Sequence, residues 1–252
     1  MGKIIALFNQ SGGVGKTSLT QNLGYHLTQK KRKVLLVDLD PQSSLTIFMG
    51  LDPDELEVTI QDSIIEGKPI TPYPETLNGM RIVPADIHLA AAEMQLISAI
   101  AREQKLKNAL TPIKDDYDYI LIDCPPTLGI LSILGLTAAT HLLVPIQCQY
   151  KSLKGTELLL STVAQIKAEL NPQLQIAGFI PTMVDTRTAQ ESRTLQALEE
   201  NLTQLAPVFP PIPRAIAFAD ASEEHLPLAL YDKKHSALKI LNKIAGKIDA
   251  IK

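Results

Sequence analysis

A glycine-rich turn between an apolar run and a helical pattern constrains this chain more than any other feature. The apolar run IIALF at residues 4–8 is followed by NQSGGVGKTS at residues 9–18. A short apolar run bounded by a turn predicts a buried strand. Glycines let successive backbone N–H groups curl inward, and the helix predicted over 16–29 turns its N-terminus, which favours anions, toward the same point. The segment therefore predicts a phosphate-binding loop.

The two residues after the last glycine of this loop indicate which phosphate ligand is bound. Lys16 would reach the β- and γ-phosphates of a nucleotide, and the Thr17 hydroxyl would ligate Mg²⁺. A dinucleotide-binding turn instead needs G-x-G-x-x-G, but Ser18 stands in place of the third glycine. We therefore predict ATP and Mg²⁺ as ligands. The predicted nucleotide-binding residues of the loop are Gln10, Ser11, Gly12, Gly13, Val14, Gly15, Lys16, Thr17 and Ser18.

Aspartates follow two further apolar runs. Asp38 and Asp40 come after the run at 34–37, and Asp123 ends the run YILID at 119–123. Ligands of a parallel sheet bind beyond the carboxyl ends of its strands. An acid at the end of such a strand commonly helps to hold Mg²⁺, often through water. The sequence therefore predicts that Thr17, Asp38 and Asp123 form the metal site.

Alternation of apolar runs with helical patterns predicts the fold class. Further strands are predicted at 80–83, 142–146 and 175–180, with a weaker candidate at 208–212, and helices at 87–106, 153–170, 187–205 and 236–251. Continuous apolar strands alternating with helices are typical of an α/β fold with a mostly parallel sheet covered on both faces. The Pro-rich residues 52–77 are predicted to be a peripheral excursion. We expect one domain over residues 1–252.

The composition limits which cellular compartment and which binding partners the sequence predicts. The net charge is −3, from 24 basic and 27 acidic residues, so only a local patch could attract DNA or anionic lipid. The lysine-rich segment 226–252 offers such a patch. No apolar run approaches the roughly 20 residues that cross a bilayer, and we expect a cytoplasmic protein in which Cys124 and Cys148 are buried thiols. Their positions do not suit an iron–sulfur cluster shared across a dimer.

The details of the loop resemble one family. A strict P-loop begins with glycine where this chain has Gln10, and the run at 9–17 is similar to the variant (deviant Walker A) loop of the ParA/MinD family of P-loop ATPases. The Asp-Pro-Gln at 40–42 and the Asp-x-Pro-Pro at 123–126 also resemble this family, and the resemblance extends from residue 3 to about 241. It implies an ATP-bound homodimer in which Asp40 positions the attacking water. It also implies that Met183, Asp185 and Pro213 lie near adenine.

The chain departs from that family at one position. Members carry a signature lysine before the double glycine, which reaches the partner subunit's phosphates, and Ser11 stands there in this chain. Lys151, predicted to lie in the first turn of a helix on the nucleotide side, faces the positive end of the helix dipole, where a nearby anion would suit it. We therefore hypothesise that Lys151 is a catalytic residue, with Lys16 and Asp40, that supplies the missing cation in cis or in trans. A serine at position 11 is similar to the McdA branch, which spaces carboxysomes.

The resemblance implies a positioning ATPase that binds nucleoid DNA without sequence preference. An adaptor on the cargo, similar to ParB or McdB, would stimulate hydrolysis and release. Alternatives are a plasmid or chromosome partition ParA, a MinD-like membrane ATPase that uses the apolar spacing at 237–251, and a non-hydrolysing scaffold. The sequence favours DNA over a membrane partner. Candidate DNA contacts are Arg187, Arg193, Lys233, Lys234, Lys239, Lys243 and Lys247.

Overall fold

Six strands form a single parallel sheet in the computed structural model, which describes residues 2–149, 152–185 and 188–251. The spatial order is β3-β2-β4-β1-β5-β6, and every neighbouring pair is parallel. The strands are β1 (Lys3–Leu7), β2 (Val34–Asp38), β3 (Arg81–Val83), β4 (Tyr119–Asp123), β5 (His141–Gln147) and β6 (Gln175–Thr182). The predicted fold class is confirmed.

Helices fill the connections between the strands. They are α1 (Lys16–Thr28), α2 (Ser44–Phe48), α3 (Ile60–Ile64), α4 (His88–Leu96), α5 (Lys105–Leu110), α6 (Ile130–Ala138), α7 (Ser152–Glu169), α8 (Ala189–Leu202), α9 (Ala217–Glu223), α10 (Leu228–Tyr231) and α11 (Ala237–Asp249). All residues of β2 and β4 are buried. Because neighbouring residues of a strand face opposite sides, Ile4 and Ala6 join one core, while Ile5 and Leu7 join the other.

Two predicted elements differ from the structure. The helix predicted over 87–106 ends at Leu96, and Ala101, with a φ of 50°, precedes a 3₁₀ turn and then α5. The candidate strand at 208–212 is replaced by isolated bridges. Its sequence is rich in proline, which has no N–H to donate to a ladder. Only Phe209 and Ile212 donate from it toward β6.

The apolar side of α11 packs inside the molecule. Leu241, Ile244 and Ile248 are fully buried in the core that also contains α1. In the described part of the chain, every helix is too short or too polar to span a lipid bilayer. The excursion at 52–77 is likewise partly internal, since Ile60 and Ile64 of α3 are fully buried.

Candidate nucleotide-binding site

The glycine-rich loop forms an open concavity between β1 and α1. Gly13 and Gly15 adopt left-handed conformations, with φ of 70° and 87°. A Cβ placed on either glycine would meet no atom within 4 Å. Left-handed geometry is easily reached only by glycine, and it turns successive N–H groups toward one point. The loop therefore has both the shape and the space to receive an anion.

Lys16 lies at the centre of this loop. Its ammonium is buried and donates hydrogen bonds to the carbonyl oxygens of Asn9, at 3.2 Å, and Ser11, at 3.1 Å. Burial lowers the pKa of Lys16, while the charge of Asp123 acts in the opposite direction. The lysine is thus held by the loop's own carbonyls at the point where phosphate oxygens would compete for it.

Two side chains that the sequence did not single out hold the loop against the sheet. Asn9 donates to the Pro145 carbonyl at 2.6 Å and accepts from the Ser11 N–H at 2.9 Å. The Thr182 hydroxyl, at the end of β6, donates to the Val14 carbonyl at 2.9 Å. The Asn9–Pro145 and Thr182–Val14 contacts join residues more than a hundred positions apart, so only the sheet order reveals them.

Asp38 and Asp123 lie side by side at the ends of β2 and β4, as Cα partners in the parallel ladder. Asp38 is fully buried and accepts from the Asp40 N–H at 3.1 Å, the Thr46 N–H at 2.9 Å and the Thr46 hydroxyl at 2.8 Å. Burial raises the pKa of Asp38 to about 6, although these hydrogen bonds act to lower it.

Asp123 is less completely satisfied than Asp38. Its Oδ1 is 3.5 Å from the Thr20 hydroxyl, and its buried Oδ2 has no hydrogen-bond partner. Burial, followed by the charge of Asp38, raises the pKa of Asp123 well above its usual range, while the Thr17 hydroxyl and Lys16 act to lower it. Buried polar atoms are normally paired. An open carboxylate oxygen beside a threonine hydroxyl therefore fits a cation such as Mg²⁺.

The remaining carboxylate of the group is more accessible. Asp40 is half-buried, and its side chain accepts from the Gln42 N–H at 3.0 Å. The described residues contain no cluster of three or more His, Cys, Asp or Glu side chains that could hold a metal alone. Mg²⁺ commonly takes one or two carboxylates and completes its shell with phosphate oxygens and water. The site thus fits Mg²⁺ bound together with a nucleotide.

A cavity of about 120 Å³ adjoins the start of α1. Its lining is mostly apolar, which suits the flat face of a base. The residues lining it are Gly15, Ser18, Leu19, Thr182, Met183, Ile212, Pro213, Arg214, Ala215 and Phe218. Met183 and Pro213, which the sequence resemblance predicts near adenine, are among these residues, whereas Phe218 was not singled out from the sequence. Asp185 is not part of this lining; its backbone N–H donates to the Glu191 carboxylate.

Comparison with known proteins places this geometry in a family. Residues 2–176 match the AAA domain family. The chain is 37% identical over 252 residues to the sporulation initiation inhibitor protein Soj of Bacillus subtilis, covering 99% of each chain. This chain belongs to the ParA/MinD family.

Solved structures of proteins similar to this ParA/MinD-family chain contain bound nucleotide. Cobyrinic acid a,c-diamide synthase from Mycobacterium smegmatis, with bound ADP and magnesium, is 35% identical with a TM-score of 0.85, covering 98% of this chain and 93% of that one. The ATP complex of a single-residue variant of Cyanothece McdA is 25% identical with a TM-score of 0.88, covering 100% of this chain and 98% of that one. The protein is an ATPase, and its ligands are ATP and Mg²⁺, as the sequence predicted.

The structure brings together most of the residues predicted for the site. Lys16, Thr17, Asp38, Asp40 and Asp123 interact electrostatically or by hydrogen bonds at one edge of the sheet. Lys151 and Arg187 lie outside the described residues, so their predicted roles stay predictions. Cys124 and Cys148 are free, buried thiols, as expected.

Proposed function

We propose that this ParA/MinD-family ATPase forms an ATP-bound homodimer that binds nucleoid DNA without sequence preference. An adaptor carried by the cargo stimulates hydrolysis and releases the dimer. The observation that supports this proposal is the meeting of Lys16, Asp40 and Asp123 beside the phosphate loop, on a chain that matches Soj over 99% of both chains. ATP-controlled attachment to DNA would let the protein distribute cargo along the nucleoid.

Each site residue has a part in the proposed cycle. The backbone of residues 10–18 holds the phosphates, and Lys16 exchanges the carbonyls of Asn9 and Ser11 for phosphate oxygens. Thr17 and Asp123 hold Mg²⁺, which offsets phosphate charge when bound. Both oxygens of Asp38 already accept protein hydrogen bonds. Asp38 therefore contacts the waters bound to the metal and not the metal itself. Asp40, the most accessible carboxylate of the three, orients the attacking water.

Adenine occupies the apolar cavity in this proposal, against Met183 and Pro213. Asp185 lies two residues beyond Met183, outside the cavity lining, and contacts the base only if the 183–185 segment moves on binding. Lys151 supplies the cation that Ser11 cannot, either to its own nucleotide or to that of the partner subunit.

An apolar stripe on α4 supports the homodimer. Ile87, Met94 and Ile97 are 56%, 74% and 65% exposed and follow helical spacing, while the opposite side of α4 is buried. Exposed apolar patches of this kind mark interaction sites. The stripe adjoins the loop that follows Asp123, because a side chain at Gly129 would collide with the Glu93 carboxylate of α4. A second copy bound here would therefore lie near the nucleotide.

The exposed side of α11 supports DNA binding. Lys239, Lys243 and Lys247 lie on the surface, opposite the buried Leu241 and Ile244. The same burial argues against the MinD-like alternative, because the apolar residues that would enter lipid are already packed in the core. Lys233, Lys234 and Arg193 are exposed as well, and Arg187 completes the set of proposed phosphate contacts.

The proposed cargo is a carboxysome or a similar assembly, with an McdB-like adaptor, because Ser11 replaces the signature lysine as in the McdA branch. Chromosome or plasmid partition with a ParB-like adaptor is the second candidate. It is favoured by the 37% identity to Soj against 25% to McdA. Deleting the gene and imaging labelled carboxysomes and replication origins separates the two, since only the true cargo loses its spacing.

ATP turnover with and without non-specific DNA tests the proposal. We expect wild type to hydrolyse ATP faster with DNA and adaptor present. We expect Lys16→Ala to be inactive and Lys151→Ala to lose both hydrolysis and ATP-dependent dimerisation. DNA binding should need ATP and fall steeply as salt rises, because counterion release drives it. Unchanged turnover in Lys151→Ala would remove that lysine from the site, and ATP-independent DNA binding would contradict the cycle.

A further inference from the structure

Thr46 is a buried polar residue outside the predicted site that is hydrogen-bonded to the site through Asp38. It lies on α2, and its hydroxyl and N–H both reach Oδ2 of Asp38, at 2.8 and 2.9 Å. The same hydroxyl accepts from the Ala85 N–H at 3.0 Å. A hydroxyl has a single proton to donate. That proton is committed to Asp38, so Thr46 joins the end of β2 to the segment that leaves β3.

The carboxylate of Asp38 in turn holds both ends of the loop that carries Asp40. One oxygen accepts from Thr46, after the loop, and the other accepts from the Asp40 N–H at 3.1 Å. The side chain of Asp40 accepts a local hydrogen bond, from the Gln42 N–H. Two backbone hydrogen bonds also hold this loop, from the Leu39 N–H to the Asp123 carbonyl at 3.0 Å and from the Ser43 N–H to the Asp40 carbonyl at 2.8 Å. Thr46 adds the contact that joins the far end of the loop to Asp38.

We propose that Thr46 is a positioning residue for ATP hydrolysis, which acts by closing the 38–46 loop so that Asp40 is held where the attacking water binds. The Ala85 N–H fixes the orientation of the hydroxyl and prevents it from rotating away from Asp38. The segment at Ala85 continues into α4, so the same contact ties the acidic loop to the apolar stripe. This inference rests on the role proposed for Asp40.

Two substitutions separate the hydroxyl from the shape of the side chain. Thr46→Val keeps the volume but removes both hydroxyl hydrogen bonds, whereas Thr46→Ser keeps the hydroxyl. Loss of a hydrogen bond to a charged group predicts a kcat for Thr46→Val that is about tenfold to a hundredfold lower. We expect Thr46→Ser to retain kcat within about threefold, because its hydroxyl can still donate to Asp38.

The readouts distinguish positioning from a loss of structure. We expect the KM for ATP and the affinity for ADP to change less than about threefold in Thr46→Val. The side chain of Thr46 hydrogen-bonds to Asp38 and Ala85, and Thr46 does not line the base cavity. A general loss of folding would weaken ADP binding together with kcat. If Thr46→Val does not fold, Thr46→Cys replaces it, because its thiol is of similar size but only a weak donor. We expect its kcat to lie clearly below that of Thr46→Ser.

The inference is overturned if Thr46→Val, or Thr46→Cys in its place, keeps wild-type kcat, or if Thr46→Ser loses as much activity as Thr46→Val. These assays use basal hydrolysis without DNA or adaptor. A failure of the proposed DNA-bound cycle would instead appear as turnover that DNA and adaptor do not stimulate, with basal hydrolysis intact.

Discussion

Three aspartates and one lysine meet at the carboxyl edge of the sheet. The number of hydrogen bonds that these side chains make differs from one to the next. Asp38 accepts three hydrogen bonds, whereas Oδ2 of Asp123 accepts none. Leaving a buried polar atom unpaired costs stability, and two like charges on adjacent strands add repulsion. In the nucleotide-free protein these residues therefore oppose folding. Binding of ATP with Mg²⁺ supplies the missing partners.

Asp123→Asn should stabilise the nucleotide-free protein at neutral and alkaline pH. Because the pKa of Asp123 is raised from its ordinary value of 3.8, the folded state holds this proton more tightly than the unfolded state. Wild type therefore loses stability as pH rises through the raised pKa. We expect a gain of about 1–3 kcal/mol at pH 8 that shrinks as pH falls, measured by urea unfolding in EDTA.

The same variant should lose the stabilisation that wild type gains from Mg²⁺ and ATP, because the open oxygen of Asp123 is replaced by an amide nitrogen that repels a cation. Comparison of Tm with and without both ligands checks this. A variant that is less stable than wild type at pH 8 in EDTA would show that the unpaired oxygen carries no cost.

Elements that are buried on both faces are those that the sequence predicts best. The strands were found within one or two residues because both faces contact helices, which makes each strand a continuous apolar run. α6 was missed although its sequence, ILSILGLTA, is mostly apolar. A helix that is apolar on all sides lacks the alternation of apolar and polar residues by which a helix is recognised in a sequence. The proline-rich segment at 208–212, which follows α8, was mistaken for a strand.

Site residues could be predicted where they directly follow an apolar run in the sequence. The phosphate loop and the three aspartates follow strand ends, so their meeting follows from the parallel sheet alone. Asn9, Thr46 and Thr182 could not be predicted, because their partners are fixed by long-range packing. The same is true of Phe218, which α9 brings to the base cavity.

The helix α11 allows a test of whether its apolar side stabilises the fold. Ile244 is fully buried, and the neighbouring Lys243 is exposed. Removing a large buried aliphatic side chain costs about 2–5 kcal/mol, so Ile244→Ala should lower the urea midpoint strongly while Lys243→Ala changes it little. Equal, small effects would mean that α11 is not anchored to the core and that its apolar side is available to lipid.

On the scale of the whole molecule, the apolar stripe of α4 and the lysines of α11 form two separate surfaces, one apolar and one basic. The stripe lies at the β3 side of the sheet, near the nucleotide loops, whereas the lysines lie on the helix that packs against α1. An apolar surface suits contact with a second copy, and a basic surface suits phosphates. The two surfaces can therefore be tested independently.

Met94→Glu should prevent ATP-dependent dimerisation, because it places a charge at the centre of the stripe. Leu205, which is 55% exposed on the β6 side of the sheet, provides a matched control as Leu205→Glu. We expect light scattering in the presence of a slowly hydrolysed ATP analogue to show a monomer for the first variant and a dimer for the second. A dimer in both would exclude the stripe from the interface.

The central position of β1 also affects how the chain reaches its native state during synthesis. β1 is made first, yet its neighbours in the sheet are β4 and β5. Translation at about 5–20 residues per second separates β1 from β4 by roughly 6–20 s. For that interval the emerging chain carries an apolar strand without a partner on either side, together with a phosphate loop that nothing holds in shape. We therefore expect newly made chains to need protection by chaperones until β5 emerges, and nucleotide to be bound only after that point.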